Sequence, residues 1–197
     1  RQVLHKVEAL AKSIFHRMFG ASGSHLIGAE VLPLGEALEI KSGVFLPAKH
    51  QDGGSFPVFG GNGVNGYHSE YLFSEPKVVI GRVGAYCGAV HLTPPKAWIT
   101  DNALYASAFK RDLNLTYLRD ALTVANLNQY ASQSGQPLIS GSRIKQVSLI
   151  IPSTEAQAVY SRRIDLTIHK RDEIVHKLQL NDNLLKSLRS RAFRGGL

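Results

Sequence analysis

The sequence predicts an α+β fold in which a strand-rich globular segment lies between two helical ends. Three observations support this prediction. The first twenty residues carry apolar side chains at helical spacing, and residues 154–191 contain no proline or glycine. Between these ends, short apolar runs alternate with turn residues, which is typical of short strands.

The composition excludes several classes of protein. With 44% hydrophobic and 19% charged residues, the 197-residue chain is globular and not disordered. One cysteine excludes a disulfide framework, and eight scattered histidines argue against a structural zinc site. No apolar run reaches the roughly 18 residues of a membrane span and no signal peptide opens the chain, so we expect a soluble, cytoplasmic protein. Because Arg1 lies inside a helical pattern and is not methionine, we expect a piece of a longer protein.

The first predicted element is a helix over residues 1–20. Gly20 and the small polar residues 21–24 are expected to end it. One face of this helix carries apolar residues spaced by three and four: Leu4, Val7, Ala11, Ile14 and Met18.

The middle of the chain is predicted to be mixed. Its glycine-rich first third is expected to be loops. A helix is expected over Leu115–Tyr130 and a turn or short helix over Ile139–Lys145. The predicted strands are Lys77–Gly81, Gly88–Thr93, Ala97–Asp101, Ala103–Lys110 and Val147–Ile151.

A last helix is predicted from Thr154 to about Arg191, roughly 57 Å long at 1.5 Å per residue. Thr154 and Gln157 have the spacing of a capping box. The helix is expected to form a coiled coil, because it is longer than one face of the globular segment; the alternative is a long helix lying on its own domain. Its heptad seam would be Tyr160, Ile164, Thr167, Arg171, Ile174, Leu178, Asn181, Leu185 and Leu188.

The two ends repeat one another. Residues 10–19 and 184–193 share the pattern Leu-[Ala/Leu]-Lys-Ser-[Ile/Leu]-x-x-Arg-x-Phe. Repetition over this distance predicts a tandem architecture of globular unit plus helix, of which this chain holds one complete unit preceded by the end of another unit's helix.

No catalytic set is found. Residues 61–66 match G-x-G-x-x-G, but neither a long apolar strand before them nor a helix after them is predicted, and Asn-Gly pairs favour a hairpin turn. Cys87 lies among Gly and Ala without a pairing base, which is typical of a small buried thiol. The chain is therefore predicted to be a binding protein and not an enzyme.

Several segments in order resemble specificity subunits of type I restriction-modification systems. They include Leu34-Gly35-Glu36, residues 56–68 (Phe-Pro-Val-Phe-Gly-Gly-Asn-Gly-Val-Asn-Gly-Tyr-His) and Val79–Gly84. Further matches are Cys87-Gly88, Thr100–Leu104, the Ile151-Pro152 exit into a long helix, and Arg191–Gly195.

This resemblance implies a division of the chain and a function. Residues 1–20 would end a preceding spacer helix, 21–152 would form the second target-recognition domain, and 153–197 a C-terminal helix in an antiparallel coiled-coil spacer. Each target-recognition domain of such a subunit reads one half of a bipartite DNA target, and the subunit catalyses no reaction. Its implied partners are double-stranded DNA, methyltransferase subunits and, through the complex, restriction subunits. S-adenosylmethionine, Mg and ATP are expected only on partner subunits, and no metal or cofactor on this chain.

Candidate DNA-contacting residues follow from the chemistry of base and phosphate contacts. Arg82 has three alternatives: a base contact, a phosphate contact or an internal salt bridge. For the glycines, turn geometry is an equal alternative, and for Tyr67 and His68 packing beneath the loop is another. The candidates are Asn62, Gly63, Asn65, Tyr67, His68 and Arg82.

The charge distribution keeps a second function class open. The formal net charge is +8, but residues 21–152 carry ten basic and nine acidic side chains, so the basicity belongs to the two ends. An adaptor that assembles partners through its coiled coil and does not bind DNA remains the alternative. The exposed stripe of the last helix also predicts self-association of this fragment.

Overall fold

The computed structural model describes residues 2–20, 29–132 and 135–193 of the chain. The predicted helix-terminating residues 21–24 lie outside the described residues. The helices and strands, in chain order, are α1 (Gln2–Phe19), β1 (Glu30–Pro33), α2 (Leu34–Ala37), β2 (Leu38–Ser42), β3 (Phe56–Gly60), β4 (Gly63–His68), β5 (Val78–Gly81), β6 (Val90–Leu92), β7 (Trp98–Ile99), β8 (Ala103–Phe109), α3 (Leu115–Val124), α4 (Gly141–Ile144), β9 (Ser148–Ile151) and α5 (Thr154–Phe193).

The strands form three sheets. The first pairs β1 with β9, the second has the order β2-β8-β5-β6, and the third has the order β4-β3-β7. Strands β3 and β7 are parallel, whereas the other strand pairs of the described chain are antiparallel. The predicted α+β class with a strand-rich middle and a long last helix is confirmed.

The five predicted strands are present and are shorter than expected, whereas β1 to β4 were not predicted. A strand was not predicted over residues 56–59 because Pro57 has no N–H to donate to a neighbouring strand. In the structure β7 pairs only with Val58 and Phe59, so Pro57 lies where β3 has a partner on one side. Residues 61–62 form a two-residue hairpin turn, and Gly63 adopts a φ of 84° that favours glycine. The expected hairpin is thus observed, and no helix follows this segment as a dinucleotide site requires.

The helix predicted over Leu115–Tyr130 is wrong beyond Val124. Asn114 caps the start of α3, since its Oδ1 accepts hydrogen bonds from the N–H groups of residues 116 and 117. Asn126 has a φ of 50°, which ends the helix, and Leu127–Tyr130 forms a separate 3-10 turn. The short helix expected within Ile139–Lys145 is α4, capped by Ser140.

The start of α5 differs from the predicted capping box. Ser153 is the capping residue, because its Oγ accepts a hydrogen bond from the Ala156 N–H at 3.2 Å. The side-chain oxygen of Gln157 accepts from the Asn114 N–H and not from the N–H of the capping residue. Its buried side-chain amide binds main-chain groups of residues 112, 114 and 152. The capping box was therefore wrong, and Gln157 joins the helix to the globular segment.

Helices α1 and α5 pack antiparallel and share the main hydrophobic core with the sheets. The Phe19 and Tyr160 rings lie 5.4 Å apart, and Ala11, further back in α1, lines a groove with Ile168, further along α5. Of the predicted α1 face, residues 11, 14 and 18 pack against the core, and the side chains of Leu4 and Val7 lie outside those described. The more deeply buried Phe15 and Phe19 were missed.

The predicted seam of α5 is confirmed only at its beginning. Tyr160 and Ile164 are buried. Thr167 is half-buried, and so is Ile168, which lies outside the predicted seam and packs against the core. Ile174 is 54% exposed, and beyond residue 175 every side chain described on α5 is exposed. Within the described residues, no helix combines the length and the hydropathy needed to span a lipid bilayer.

Candidate nucleic-acid interface

Four segments of the chain, which we call the converging turns, meet at one end of the two larger sheets. They are the β3–β4 turn with Asn62, the end of β5 with Arg82, the β7–β8 turn, and the end of β2. The Arg82 N–H donates to the Asn102 carbonyl at 3.0 Å, and the Gly43 N–H donates to the Ala103 carbonyl at 3.1 Å. Segments far apart in sequence are thereby held together by main-chain hydrogen bonds.

Close approach of the backbones explains the glycines at this end. A Cβ on Gly81 would lie 2.5 Å from the Gly61 carbonyl oxygen, and one on Gly61 would lie 3.3 Å from the Asn102 carbonyl oxygen. A side chain at Gly81 would therefore force two turns apart. The buried Gly63 packs on the His91 ring. These contacts give the glycines a packing role at the junction of the sheets.

Arg82 is held by neutral acceptors. Its Nη1 donates to Ser42 Oγ at 3.2 Å and to the Asp101 carbonyl at 3.3 Å, whereas its buried Nε has no partner. Among the ion pairs of the described residues none includes Arg82, so the alternative of an internal salt bridge is not what holds it. A half-buried guanidinium with its charge uncompensated suits an anionic or base partner.

The two asparagines of the hairpin are exposed. Asn62 lies at the tip of the turn, beside the end of β5. Asn65 lies on β4, and its Nδ2 would be 2.6 Å from a Cβ on Gly60. Both side chains carry a donor and an acceptor, which is the combination that reads an adenine edge.

Tyr67 and His68 lie at the far end of β4, away from the converging turns. Successive residues on a strand point to opposite faces, so one surface cannot present both. Tyr67 is 51% exposed. His68 Nδ1 lies 3.2 Å from Asp52 Oδ1, and its ring packs edge-on against Trp98 at 5.5 Å. The packing alternative therefore describes His68, which helps to hold residues 44–54 against the sheet.

Asp52 is the acidic partner in this contact. Its carboxylate accepts a hydrogen bond from the Ser69 hydroxyl at 2.5 Å and from the Gly54 N–H at 3.0 Å. The Ser69 hydroxyl is the main reason that the pKa of Asp52 falls to about 2. The ionised carboxylate thus joins the segment before β3 to the end of β4.

Cys87 has the environment expected of a buried thiol. It is 2% exposed, and its Sγ–H donates to the Arg82 carbonyl at 3.2 Å. Burial raises the pKa of this thiol, which disfavours the nucleophilic thiolate. Within the described residues, no three His, Cys, Asp or Glu side chains are grouped closely enough to hold a metal ion.

Sequence reasoning missed Ser42, which orients Arg82. No local pattern marks this serine, because the two residues meet only through the pairing of β2 and β5 with β8. The carbonyls of Asp101 and Asn102 both accept hydrogen bonds from Arg82 and so join the β7–β8 turn to the end of β5.

Two sequence comparisons match this chain to the same family. Residues 27–182 match the family model described as the type I restriction modification DNA specificity domain. The type I restriction enzyme EcoprrI specificity subunit of Escherichia coli is 32% identical over 137 residues, which cover 67% of this chain and 34% of that protein.

Solved structures share the fold at low sequence identity. A type I restriction-modification S subunit from M. genitalium superposes with a TM-score of 0.70 and 16% identity, over 95% of this chain and 54% of that one. The HsdS subunit from Thermoanaerobacter tengcongensis gives a TM-score of 0.62 and 19% identity, over 98% of this chain and 52% of that one. The chain thus spans about half of these structures and about a third of the E. coli protein. The family predicted from the sequence is confirmed: this chain belongs to the type I restriction-modification DNA specificity domains.

Proposed function

We propose that the chain recognises DNA sequence as part of a type I specificity subunit, reading one half of a bipartite target. It would position separate methyltransferase and restriction subunits and would catalyse no reaction itself. The observation that carries the proposal is the convergence of Asn62, Arg82 and the β7–β8 turn on a rigid end of the domain. Family membership supports the same function.

The chemistry of this end suits base readout. An exposed amide at Asn62 or Asn65 can pair with both groups of an adenine edge, and the Arg82 guanidinium with a guanine edge or a phosphate. The turns are cross-linked by main-chain hydrogen bonds, so little conformational entropy is lost when they bind.

The proposal assigns chemistry and cofactors to partners. S-adenosylmethionine, Mg and ATP would be bound by the methyltransferase and restriction subunits, and none of them by this chain. Such a complex acts on the chromosome, which implies the cytoplasm. The exposed stripe of α5 would pair with helices of the remaining part of the subunit.

A second candidate is an adaptor that assembles proteins through α5 and does not bind DNA. Two observations favour it: residues 21–152 carry almost balanced charge, and large apolar side chains are exposed along α5. The two candidates differ in whether the globular segment determines which DNA sequence the complex modifies.

Exchange of the globular segment distinguishes them. In cells carrying the complete subunit, residues 21–152 are replaced by the corresponding segment of another family member, and methylated adenines are mapped across the genome. We expect one half of the modified sequence to change and the other half to stay. An unchanged modified sequence, with the complex still active, contradicts DNA recognition by this segment.

Substitution of Arg82 tests the converging turns. If Arg82 reads a base, Arg82→Ala weakens binding of the cognate sequence by about 1–3 kcal/mol and leaves the salt dependence nearly unchanged. If it binds a phosphate, affinity falls evenly across sequences and the log–log salt slope drops by about 0.9. We favour the phosphate contact, since the close backbones beside Arg82 leave it a short reach.

The matched control is Ser42→Ala, which removes one internal acceptor of Arg82 and keeps its charge. It is expected to retain most of the affinity. An Arg82→Ala protein that is folded by circular dichroism and unaltered in affinity and slope would remove Arg82 from the interface.

A further inference from the structure

The connection between β5 and β6 lies at the end of the domain where the converging turns meet. Since β5 ends at Gly81 and pairs with β6 in antiparallel fashion, the residues between them leave the sheet at that end. This connection contains the 3-10 turn Gly84–Tyr86. A Cβ on Gly81 would collide with the carbonyl oxygens of both Gly61 and Tyr86. Tyr86 therefore lies next to the β3–β4 turn.

Hydrogen bonds on both sides of Tyr86 hold it in a fixed turn. The Ala89 N–H donates to the Tyr86 carbonyl at 3.0 Å, and the Cys87 N–H donates to the Gly84 carbonyl at 3.0 Å. The buried thiol of Cys87 donates to the Arg82 carbonyl. Because the main chain is bonded before and after Tyr86, the exposure of its side chain does not come from a loose loop.

A distant segment supports the same turn. The Gly84 N–H donates to the Pro137 carbonyl at 3.0 Å, and Asn128 Nδ2 donates to the Cys87 carbonyl at 2.9 Å. A Cβ on Gly88 would collide with the Asn128 main chain. The turn is thus fastened to residues far away in the sequence, so little backbone entropy remains to be lost when it binds a ligand.

The Tyr86 side chain is 54% exposed on this turn. In the described part of the chain, its ring pairs with neither another aromatic ring nor a cation. The exposed Tyr71 differs, because its ring packs on Phe56 at 4.9 Å and lies under Lys96 Nζ at 5.8 Å. Tyr86 therefore presents an unpaired apolar ring surface beside the converging turns.

The shape of this end of the domain favours the major groove of DNA. Strands β3 and β4 form a hairpin that ends in the turn with Asn62, and the major groove is wide enough for a two-stranded ribbon. In that groove, the apolar group that the base pairs display is the C5 methyl of thymine. An exposed aromatic ring beside the hairpin therefore has one chemically matched base.

We propose that the Tyr86 ring contacts the C5 methyl group of a thymine in the target half-site and so selects an A·T base pair. This inference rests on the proposed function and names a specificity-determining residue that the sequence analysis did not single out. The contact is apolar, so it differs in kind from a phosphate contact and depends little on salt. Its strength comes from the removal of the methyl group and the ring from water.

Removal of the methyl group from the DNA tests the contact without altering the protein. The half-site is first defined by mapping methylated adenines in cells that carry the complete subunit. Each thymine of this half-site, on either strand, is then replaced singly by deoxyuridine, and binding of the complete methyltransferase complex is measured by fluorescence anisotropy. We expect one replacement to weaken binding by about fourfold, the factor that corresponds to one buried methyl group. The other replacements are expected to leave binding unchanged.

Tyr86→Ala should remove this sensitivity. We expect the variant to bind the unmodified duplex about tenfold more weakly, and the deoxyuridine replacement should then change its affinity by less than about twofold. Tyr86→Ser is a second variant with the same expected result. Tyr86→Phe keeps the ring and should retain both the affinity and the sensitivity. Tyr71→Ala, beside Phe56 at the other end of β3, is the matched control and should also retain both.

The outcomes separate this inference from the proposed function. The thymine contact is overturned, and the proposed function stands, if no deoxyuridine replacement weakens binding or if the folded Tyr86→Ala and Tyr86→Ser complexes keep the full sensitivity. An even loss of affinity across sequences with Tyr86→Phe would also overturn it, because the hydroxyl would then be a phosphate contact. If the unaltered complex does not prefer the mapped target over mixed-sequence DNA, the proposed function itself fails.

Discussion

Gln157 joins α5 to the globular segment through three hydrogen bonds. Its Oε1 accepts from the Asn114 N–H at 2.7 Å, and its Nε2 donates to the carbonyls of Asp112 and Pro152 at 3.0 and 2.9 Å. The side chain is 1% exposed, so no water can replace these bonds. One residue therefore connects the start of the long helix with the cap of α3.

Removal of this side chain is the first prediction at the residue scale. Gln157→Ala is expected to lower the free energy of unfolding by about 2–3 kcal/mol, because buried polar groups lose their partners. Urea denaturation measures the change. Gln129→Ala is the matched control, since Gln129 is exposed with one local hydrogen bond, and its effect should stay within about 0.5 kcal/mol. Similar values for the two variants would contradict the role of Gln157.

Asp52 gives a pH prediction. Its pKa in the folded chain is about 2, below the ordinary value of 3.8, mainly because of the Ser69 hydroxyl. A lowered folded pKa contributes stability that is present above pH 4 and is lost as pH falls through the folded value. The stability difference between the unaltered chain and Asp52→Asn should therefore shrink as pH falls from about 4 to 2. Trp98, the single tryptophan, reports unfolding by fluorescence. A difference that does not vary with pH would contradict this role for Asp52.

At the scale of elements, the repeated sequence at the two ends lies in two different environments. Phe19, near the end of α1, is 2% exposed, and its ring lies 5.1 Å from both Phe15 and Tyr117. Phe193, at the matching position of α5, is 92% exposed. The same local pattern is thus buried in one copy and unpartnered in the other.

Alanine at these two positions tests this difference. Phe19→Ala leaves a cavity in the aromatic cluster and is expected to lower the free energy of unfolding by about 3–5 kcal/mol. Phe193→Ala should change it by less than about 0.5 kcal/mol. Both are measured by denaturation at low protein concentration. A larger cost at Phe193 than at Phe19 would be inconsistent with the observed burial.

At the scale of the whole molecule, the last part of α5 extends beyond the globular segment. Residues 176–193 would span roughly 27 Å at 1.5 Å per residue, and their described side chains are exposed. An apolar stripe of this size is typical of an interface. We therefore expect a second helix to cover this stripe.

Self-association of the fragment follows from this stripe. Two copies are expected to pair through α5 at micromolar concentration, because a two-fold pairing covers both stripes. Leu178→Asn with Leu185→Asn, on the seam, should shift the sedimentation coefficient to that of a monomer. Leu180→Asn with Leu184→Asn, equally exposed and about a quarter turn from the seam, is the matched control. If the unaltered chain stays monomeric at high micromolar concentration, the predicted pairing through α5 is contradicted.

The sequence by itself determined the helical ends, their repeat, the strands of the middle and later part, the buried thiol and the family. These features depend on local periodicity, turn residues, a repeat and motif order, all of which are visible in the sequence without the spatial arrangement of the chain. Only the tertiary structure decided that β3 accommodates Pro57, that Gln157 binds main-chain groups of the distant residues 112 and 114, and that Arg82 rests on Ser42. Each of these depends on contacts between segments far apart in the chain, and local patterns carry no information about such contacts.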